Sequence, residues 1–345
     1  MMSVAGLILS NLHDGELPAL TAKRTMGAVP FGGRFRLLDF PLSAMVHAGI
    51  SEVFVVAHHN YRSLMEHIGS GKDWDMARHR GGIHILPPYS AAYANPEESY
   101  HSRLQSLISV RGVIERIREE HVLCCDCDAI GVPDLRALIA AHKKSGLPMT
   151  LCEEEGGGFG SLHVWIAKTA FLRELLLEAE RRRYRYFYDE LLYDQSRAGK
   201  IGSFRFPTRF YRIHSLTDYY RLHMLLATHE GVRRELLESV ERPILTKLHN
   251  SPPVKYGASA AVTGSLIADG CVIEGTVRNS VLFRGVHVGV GCMVENSVIL
   301  EHGSLSGHVR LQGAILDKNV VLGGNAVLSG HETLPFFVEE GRVIH

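Results

Sequence analysis

Residues 260–324 repeat apolar side chains at intervals of about six, and this period constrains the fold more than any other feature. Ile267 and Ile273 show the spacing, as do Val288 and Val294, with glycine or other small residues between them. A hexapeptide period predicts a parallel β-helix, in which each short strand stacks on the strand one coil earlier. An antiparallel sandwich is the alternative, and the period disfavours it. Because the segment is short, we expect only a few coils.

The composition suits two globular domains and argues against several classes of partner. The chain has 345 residues, of which 46% are hydrophobic, enough for two domains with apolar cores. Lysine plus arginine and aspartate plus glutamate both number 37, and this balance provides no basic surface for nucleic acid or a membrane. The sequence has no apolar run of membrane-spanning length, and its N-terminus lacks the features of a signal peptide. We therefore expect a cytoplasmic protein.

The part of the chain before the repeats alternates predicted strands with predicted helices, as in an α/β domain. Apolar runs predict buried strands at Val4–Leu9, Glu52–Ala57 and His121–Cys125. Helical spacing predicts a helix that begins at Phe35 and another over residues 103–119. Further helices are predicted over Tyr61–Ile68, Pro133–Lys144 and Ala170–Arg183. Residues 249–256 have the composition of a linker, so the predicted domains are 1–247 and 248–345.

The cysteines do not form a recognisable metal motif. Cys124 and Cys127 make a C-x-x-C pair, but no second pair follows at the spacing of a zinc site. We interpret them as buried thiols at the end of a strand.

The loop after the first strand carries a specific resemblance. Its closing half reads Ala28-Val29-Pro30-Phe31-Gly32-Gly33, and the runs PFGGRFRLLDFPLS and SLMEHIGSGKDWD follow it. This text resembles the nucleotide-sugar pyrophosphorylases, above all the glucose-1-phosphate adenylyltransferases. The resemblance implies a Rossmann-like nucleotidyltransferase domain with a mixed sheet, followed by a short C-terminal left-handed parallel β-helix. It also implies a reaction that joins ATP and glucose 1-phosphate into ADP-glucose, with Mg²⁺ as the metal of the family.

The opening half of the same loop departs from the family. In the family this half reads Gly-Gly-x-Gly-x-Arg-Leu. The corresponding positions here are residues 11–17, and Glu16 stands at the position of the arginine. Met26 stands where the family has a lysine. Glycines let backbone N–H groups approach a triphosphate, and a cation there stabilises the transferred phosphoryl group. The loop therefore has the frame of the family but lacks its chemistry.

The metal and sugar positions are altered as well. Alignment with the family places its first metal-binding aspartate on Asp128, which is retained, and its second on Ile213. A Mg²⁺ held by two carboxylates thus loses half of its protein ligands, so Asp128 is at most a vestigial metal ligand. The segment that carries the sugar-phosphate site in the family is reduced to a turn around residues 156–158, and the nucleotide-binding Arg-Gly-Thr-Ala-Asp-Ala is replaced by residues 101–106. We expect no cofactor with a complete ligand set.

Together these departures resemble the non-catalytic, regulatory GlgD-type subunit of the family. The resemblance implies a partner, the catalytic adenylyltransferase subunit, in a hetero-oligomer, a heterotetramer, that supplies ADP-glucose for glycogen. It also implies an anionic small-molecule effector at the cations after Phe31-Gly32-Gly33, which are Arg34 and Arg36. Two alternatives stay open. One is an active nucleotidyltransferase with unusual ligands, which Asp128 favours, and the other is a β-helix acyltransferase, which the short solenoid disfavours.

Overall fold

The computed structural model describes residues 4–12, 15, 17–57, 59–77, 81–87, 102–154 and 160–345. The chain divides into two compact units: the first comprises residues 1–15, 21–28 and 37–211, and the second comprises residues 16–20, 29–36 and 212–345. This division follows spatial proximity. The predicted boundary after residue 247 follows the change in sequence pattern, and it stays a prediction.

A seven-stranded mixed sheet forms the centre of the first unit, which confirms the predicted α/β architecture. In chain order its strands are β1 (Val4–Leu9), β2 (Glu52–Val56), β3 (Gly82–Leu86), β4 (His121–Asp126), β5 (Met149–Glu153), β6 (Trp165–Lys168) and β7 (Ile201–Arg205). Their order across the sheet is β7-β5-β6-β4-β1-β2-β3. Only β6 runs antiparallel to the strands beside it, β4 and β5.

The two central strands, β1 and β4, are buried along their whole length. β1 is apolar throughout and β4 is apolar from Val122 to Cys125, as expected for parallel strands covered on both faces. They are parallel, and Leu9 pairs with Asp126 at their carboxyl ends. Ligands of open α/β sheets bind beside such strand ends, so this edge is where a site is sought.

Helices and short irregular elements connect these strands. The α-helices of the first unit are Asp39–His47, Arg62–Ile68, Arg103–Ser109, Arg111–Ile114, Leu135–Ser145, Thr169–Arg182 and Tyr193–Arg197, with a π-helix at Phe187–Leu192. Short 3₁₀ turns lie at Met26–Ala28 and Lys72–Trp74, and a two-residue strand at Ala129–Ile130. The helix Pro18–Thr21 and the strand Tyr211–Arg212 lie where one unit's residues give way to the other's.

Two of the predicted helices are wrong. The helix expected to begin at Phe35 begins at Asp39, because Phe35–Arg36 instead pairs with Pro30–Phe31 in a small antiparallel hairpin. The helix expected over residues 103–119 is two short helices. The first ends at Ser109, because the next residue, Val110, leaves the helical region with a ψ of 12°.

The second unit contains a parallel β-helix, as the hexapeptide period predicts. Its strands stack into three parallel sheets, one for each face of the coil. The first face has Lys255–Tyr256, Val272–Ile273, His287–Val288, Ser304–Leu305, Val321–Leu322 and Val343–Ile344. The second has Ala261–Thr263, Thr276–Arg278, Met293–Glu295, Arg310–Gln312 and Val327–Ser329, and the third Leu266–Ile267, Val281–Leu282, Val298–Ile299, Ala314–Leu316 and Phe336–Val338. The helices of this unit are Leu216–Thr228 and Glu230–Leu237.

Apolar ladders fill the coil, and polar ladders turn its corners. Ile273 and Val288 are fully buried in the core of the β-helix. At one corner the Oγ of Ser280 accepts a hydrogen bond from the backbone of Ser297, 17 residues later. The preceding residues, Asn279 and Asn296, have φ values of 48° and 45°, a conformation that asparagine tolerates better than most residues. The repeat therefore encodes the sharp corners as well as the core.

In the part of the chain that the structure describes, no helix combines the length and apolarity that crossing a membrane requires.

Candidate functional site

A cluster of charged side chains lies at the carboxyl end of β4, in the first unit. Asp126 is the last residue of β4, and Asp128 follows two residues later. Arg103 opens the helix Arg103–Ser109, whose N-cap Ser102 accepts a hydrogen bond from the backbone of Gln105. His163 lies just before β6 and has a φ of 54°, in the left-handed region. Three separate segments therefore converge on one point.

The guanidinium of Arg103 holds this cluster together. Its Nε donates to Asp126 Oδ2 over 2.7 Å, and a terminal nitrogen donates to His163 Nδ1 over 2.7 Å. The same imidazole nitrogen lies 3.7 Å from Asp126 Oδ2 and 3.9 Å from Asp128 Oδ2. Both aspartates are buried. The ring of Tyr188 also packs against the cluster, with its centroid 5.7 Å from the Arg103 guanidinium carbon.

The charge states follow from burial and from these neighbours. Burial alone would lower the pKa of Arg103, but Asp126, Tyr188 and Asp128 raise it, so the guanidinium stays protonated. Burial lowers the pKa of His163, and the nearby carboxylates of Asp128 and Asp126 oppose that shift only in part. The imidazole is therefore neutral at pH 7, and Nδ1 accepts the hydrogen bond from Arg103. One permanent cation thus contacts Asp126 and His163, and the buried carboxylate of Asp128 is near enough to raise its pKa.

The sequence predicted one member of this cluster, Asp128. The structure places Asp128 beside Asp126 and His163, and it is Asp134 that caps the helix Leu135–Ser145. Asp126 could have been found, because it ends an apolar strand two residues before the retained aspartate. Arg103 and His163 could not, since they carry no motif and lie 60 residues apart in the chain.

The loop after β1 is hydrogen-bonded to the residue that directly follows this strand, Ser10. The backbone oxygen of Ser10 accepts hydrogen bonds from the Thr25 hydroxyl at 2.8 Å and from the Gly27 amide at 2.9 Å. A side chain at residue 27 would lie 2.9 Å from the Ser10 Cβ, so this close crossing requires glycine. Met26, at the family's lysine position, is fully buried. In the described part of the loop, residues 25–27 therefore pack closely against Ser10.

The other positions that differ from the family are Ile213, Glu16 and the turn at residues 156–158. Ile213 is fully buried in the second unit and brings no oxygen to a metal. Glu16 and residues 156–158 lie outside the described residues. Cys124 and Cys127 are buried free thiols, as predicted, and the other four cysteines are buried free thiols too.

A second charged cluster lies in the second unit, around the hairpin of Pro30–Phe31 and Phe35–Arg36. Gly32 and Gly33, with φ values of 57° and 85°, form its turn and leave Arg34 exposed at the tip. Arg36 forms an ion pair with Glu301 at 3.2 Å. The structure thus brings together the two arginines that the sequence singled out.

Two further cations, which the sequence did not reveal, belong to this second cluster. The Lys318 ammonium lies 3.8 Å from Glu301, and Arg284 donates a long hydrogen bond of 3.5 Å to the backbone oxygen of Arg34. Burial lowers the pKa of Arg284, which Asp269 and Glu301 raise and Arg34 and Arg36 lower further. The Nε of Arg284 is buried and has no hydrogen-bond partner among the described residues. The cluster has an excess of positive charge and a donor directed at no described acceptor.

A buried histidine supports the hairpin. His223, on the helix Leu216–Thr228, donates from Nδ1 to the Tyr219 carbonyl and accepts from the Gly32 amide at Nε2, over 2.8 Å and 3.2 Å. The Tyr219 hydroxyl donates to the Pro30 carbonyl over 2.6 Å. Burial lowers the pKa of His223 to about 4, so the ring is neutral and able to accept. The position of Arg34 therefore depends on a neutral imidazole.

Two family models match the chain, one on each side of the change in pattern. Residues 8–153 match the nucleotidyl transferase family, and residues 253–332 match the GlmU-like C-terminal hexapeptide family. These matches agree with the mixed sheet and with the coils of the β-helix. They confirm the predicted fold, a nucleotidyltransferase domain followed by a left-handed hexapeptide β-helix.

Individual proteins are similar over most of the chain. The glycogen biosynthesis protein GlgD of Bacillus subtilis (strain 168) is 32% identical over 286 residues, which cover 83% of this chain and 81% of the relative. The protein of that name from Geobacillus stearothermophilus is 33% identical over 292 residues, covering 84% and 82%. A glucose-1-phosphate adenylyltransferase of Halalkalibacterium halodurans is 28% identical over 325 residues, covering 84% of each chain.

Proposed function

This chain belongs to the family that contains the glycogen biosynthesis protein GlgD and the glucose-1-phosphate adenylyltransferases, and we propose that it is a regulatory subunit without catalysis of its own. It modulates the formation of ADP-glucose from ATP and glucose 1-phosphate by a catalytic partner, for glycogen synthesis. The cytoplasmic location that the sequence predicts stays part of this proposal.

The observation that carries the proposal is the burial of apolar side chains at two positions where the family needs charge. Met26 replaces a lysine and Ile213 a carboxylate, and both are fully buried. Each lost charged contact costs roughly 3 kcal/mol in the transition state, so two of them lower the rate by about four orders of magnitude. Regulation needs no such chemistry, because binding at one subunit can shift the affinity or rate of another.

Exposed apolar side chains on the β-helix support a partner. Val327, Leu334 and Val343 are exposed, and they lie on or beside the strands Val327–Ser329, Phe336–Val338 and Val343–Ile344. Exposed apolar groups that lie close together mark surfaces for association. The proposed occupant is the catalytic adenylyltransferase subunit, in a heterotetramer.

The second charged cluster supports an anionic effector. Arg34 is exposed at the hairpin tip, and Arg284 keeps a buried donor next to it. Guanidinium groups in this arrangement suit phosphate oxygens, which accept paired hydrogen bonds. The proposed effector is a small phosphorylated metabolite that binds Arg34 and Arg36 together with Arg284.

The experiment is to combine the purified chain with the catalytic subunit of its host and to measure sedimentation and ADP-glucose formation. We expect an equimolar mixture to sediment as one complex. We also expect its KM, kcat or effector response to differ from those of the catalytic subunit alone. Separate species with unchanged kinetics would contradict the proposal.

The alternative, an active nucleotidyltransferase with unusual ligands, has one observation in its favour. Asp128 is retained and lies with Asp126 and His163 in a group whose ligand atoms all fall within 4.8 Å of one another. Turnover by the chain alone would establish this alternative.

A further inference from the structure

One of the two carboxylates at the end of β4, that of Asp126, contacts a cation that belongs to the protein itself. Arg103 donates to Asp126 Oδ2 and to His163 Nδ1, each over 2.7 Å. Asp128 Oδ2 lies 3.9 Å from the same imidazole nitrogen. These three side chains, Asp126, Asp128 and His163, are the ones from which a metal ion at this edge of the sheet would take its protein ligands.

The residues present do not fit the Mg²⁺ of the family. Mg²⁺ requires close, nearly octahedral oxygen ligands, and the second carboxylate of the family's pair is Ile213 in this chain. Arg103 already takes a lone pair of Asp126 and that of His163 Nδ1. A divalent ion within reach of Asp126 and Asp128 would also meet the positive charge of the guanidinium, and the buried position screens that repulsion poorly.

The guanidinium is held in place from several sides. Ser102 caps the helix that Arg103 begins, and Asp126 is fixed at the end of a fully buried central strand. The imidazole of His163 extends from a backbone with a φ of 54°, which few residues adopt, and the Tyr188 ring lies against the guanidinium. An arginine whose partners are fixed by secondary structure keeps its contacts without the loss of freedom that a surface ion pair suffers.

We propose that Arg103 is the resident cation of this cluster, so that the chain folds and acts with no divalent metal at Asp126 and Asp128. A corollary is that removal of the guanidinium creates a metal site from the two carboxylates and the imidazole. Mixed oxygen and nitrogen ligands suit Mn²⁺ or Zn²⁺ better than Mg²⁺. The inference does not rest on the regulatory function, because it concerns ion binding by the isolated chain.

The first experiment measures metal binding by the unmodified chain. Mn²⁺ alone is titrated while its free-ion electron paramagnetic resonance signal is recorded, and thermal unfolding is followed with Mg²⁺, with Mn²⁺ and with a chelator. We expect no stoichiometric Mn²⁺ binding in the millimolar range and the same Tm in all three conditions. One tightly bound Mn²⁺ per chain, or a Tm that falls with chelator, would overturn the proposal.

The second experiment removes the guanidinium with Arg103→Met. We expect the Tm to fall by at least about 5 °C without metal, because two buried carboxylates lose their counter-charge. About 2 mM Mn²⁺ should then raise it by about 3 °C or more, through binding to the vacated site. Arg111→Met is the matched control, since Arg111 pairs with Glu115 and Glu180 away from the cluster, and it should show no response to Mn²⁺.

A third variant separates metal binding from general loss of structure. Adding Asp128→Asn to Arg103→Met should abolish the response to Mn²⁺, and should do so even if the single variant is only partly folded. If Arg103→Met gains no response, or if the double variant keeps one, Arg103 does not stand in the place of a metal. Loss of turnover in the mixture with a catalytic subunit would bear on the proposed function and leave this result unaffected.

Discussion

The two charged clusters differ in how their hydrogen-bonding groups are used. In the first unit, the Arg103 guanidinium is bound between Asp126 and His163 and is mostly buried. In the second unit, Arg34 is exposed and Arg284 has a buried Nε with no acceptor among the described residues. The cation of the first cluster is therefore bound on two sides, whereas the second cluster has an excess of positive charge and a donor without a described acceptor. This difference supports the two proposals above: the carboxylates of the first unit bind a cation of the protein itself, and the donors for an anionic ligand are the cations of the second unit.

The sharpest way to break the first cluster is Asp126→Ala. This change leaves Arg103 without its carboxylate acceptor. Because about a fifth of the Arg103 side chain is exposed, we expect the free energy of unfolding to fall by about 3 kcal/mol, near the lower end of the usual range. Urea unfolding followed by tryptophan fluorescence measures it, since Trp74 and Trp165 both lie in the first unit.

Asp134→Ala is the control for that variant. It also removes a carboxylate from the first unit, but this carboxylate caps the helix Leu135–Ser145. We expect its loss to lower the free energy of unfolding by about 1 kcal/mol. Equal losses in the two variants would show that the Asp126 pair is no more than an ordinary surface contact.

Acid should weaken the second cluster through His223. The pKa of His223 is about 4 in the folded chain, against an ordinary value of about 6.5 for histidine. As the pH falls, the histidine of the unfolded chain is therefore protonated before that of the folded chain. The contribution of neutral His223 to the free energy of unfolding is fully present above about pH 6.5. It is lost towards pH 4 and amounts to at most about 3 kcal/mol. Protonation also removes the acceptor of the Gly32 amide.

Hydrogen exchange of a peptide that covers residues 29–36 measures this effect directly. We expect protection of the hairpin to fall between pH 6.5 and 4, and His223→Gln, which keeps an acceptor and cannot titrate, to flatten the profile. A profile that is the same in both proteins would rule out His223 as the cause.

A smaller effect is expected from Arg34→Ala. Removal of one exposed cation from the second cluster should raise the effector concentration needed for half-maximal response of the complex by about five- to tenfold, since one charge-assisted hydrogen bond contributes about 1 kcal/mol or slightly more. Arg278→Ala removes a cation from elsewhere on the β-helix, where it pairs with Glu295, and should leave the response unchanged. Identical curves for Arg34→Ala and the unmodified complex would remove Arg34 from the site.

The elements that repeat or lie in continuous apolar runs could be predicted from the sequence. Val4–Leu9 forms a strand as predicted, and Val288 and Val294 fill the β-helix, because their patterns are local. The helix predicted at Phe35 failed because two glycines with positive φ turn the chain back before it. A helical spacing of apolar residues does not reveal that a hairpin competes for the same segment.

The site was predictable only where it resembles the family text. Asp128 was found from its alignment, and Arg34 and Arg36 from their place after the glycines. Arg103 and Asp126 meet across 23 residues, and Arg103 and His163 across 60, and no local pattern encodes such contacts. The same is true of Arg284 and Lys318, which the coil of the β-helix brings to the hairpin.

The central claim is that the chain performs no adenylyl transfer of its own. Restoring Glu16→Arg and Ile213→Asp together should not create activity, because the sugar-site segment would still be missing. The measurement that tests the claim most directly supplies the isolated chain with ATP, Mg²⁺ and radiolabelled glucose 1-phosphate and counts the label in ADP-glucose, beside the catalytic subunit at the same concentration. We expect a rate at least about four orders of magnitude below that of the catalytic subunit. Turnover within about tenfold of the catalytic subunit would contradict the account.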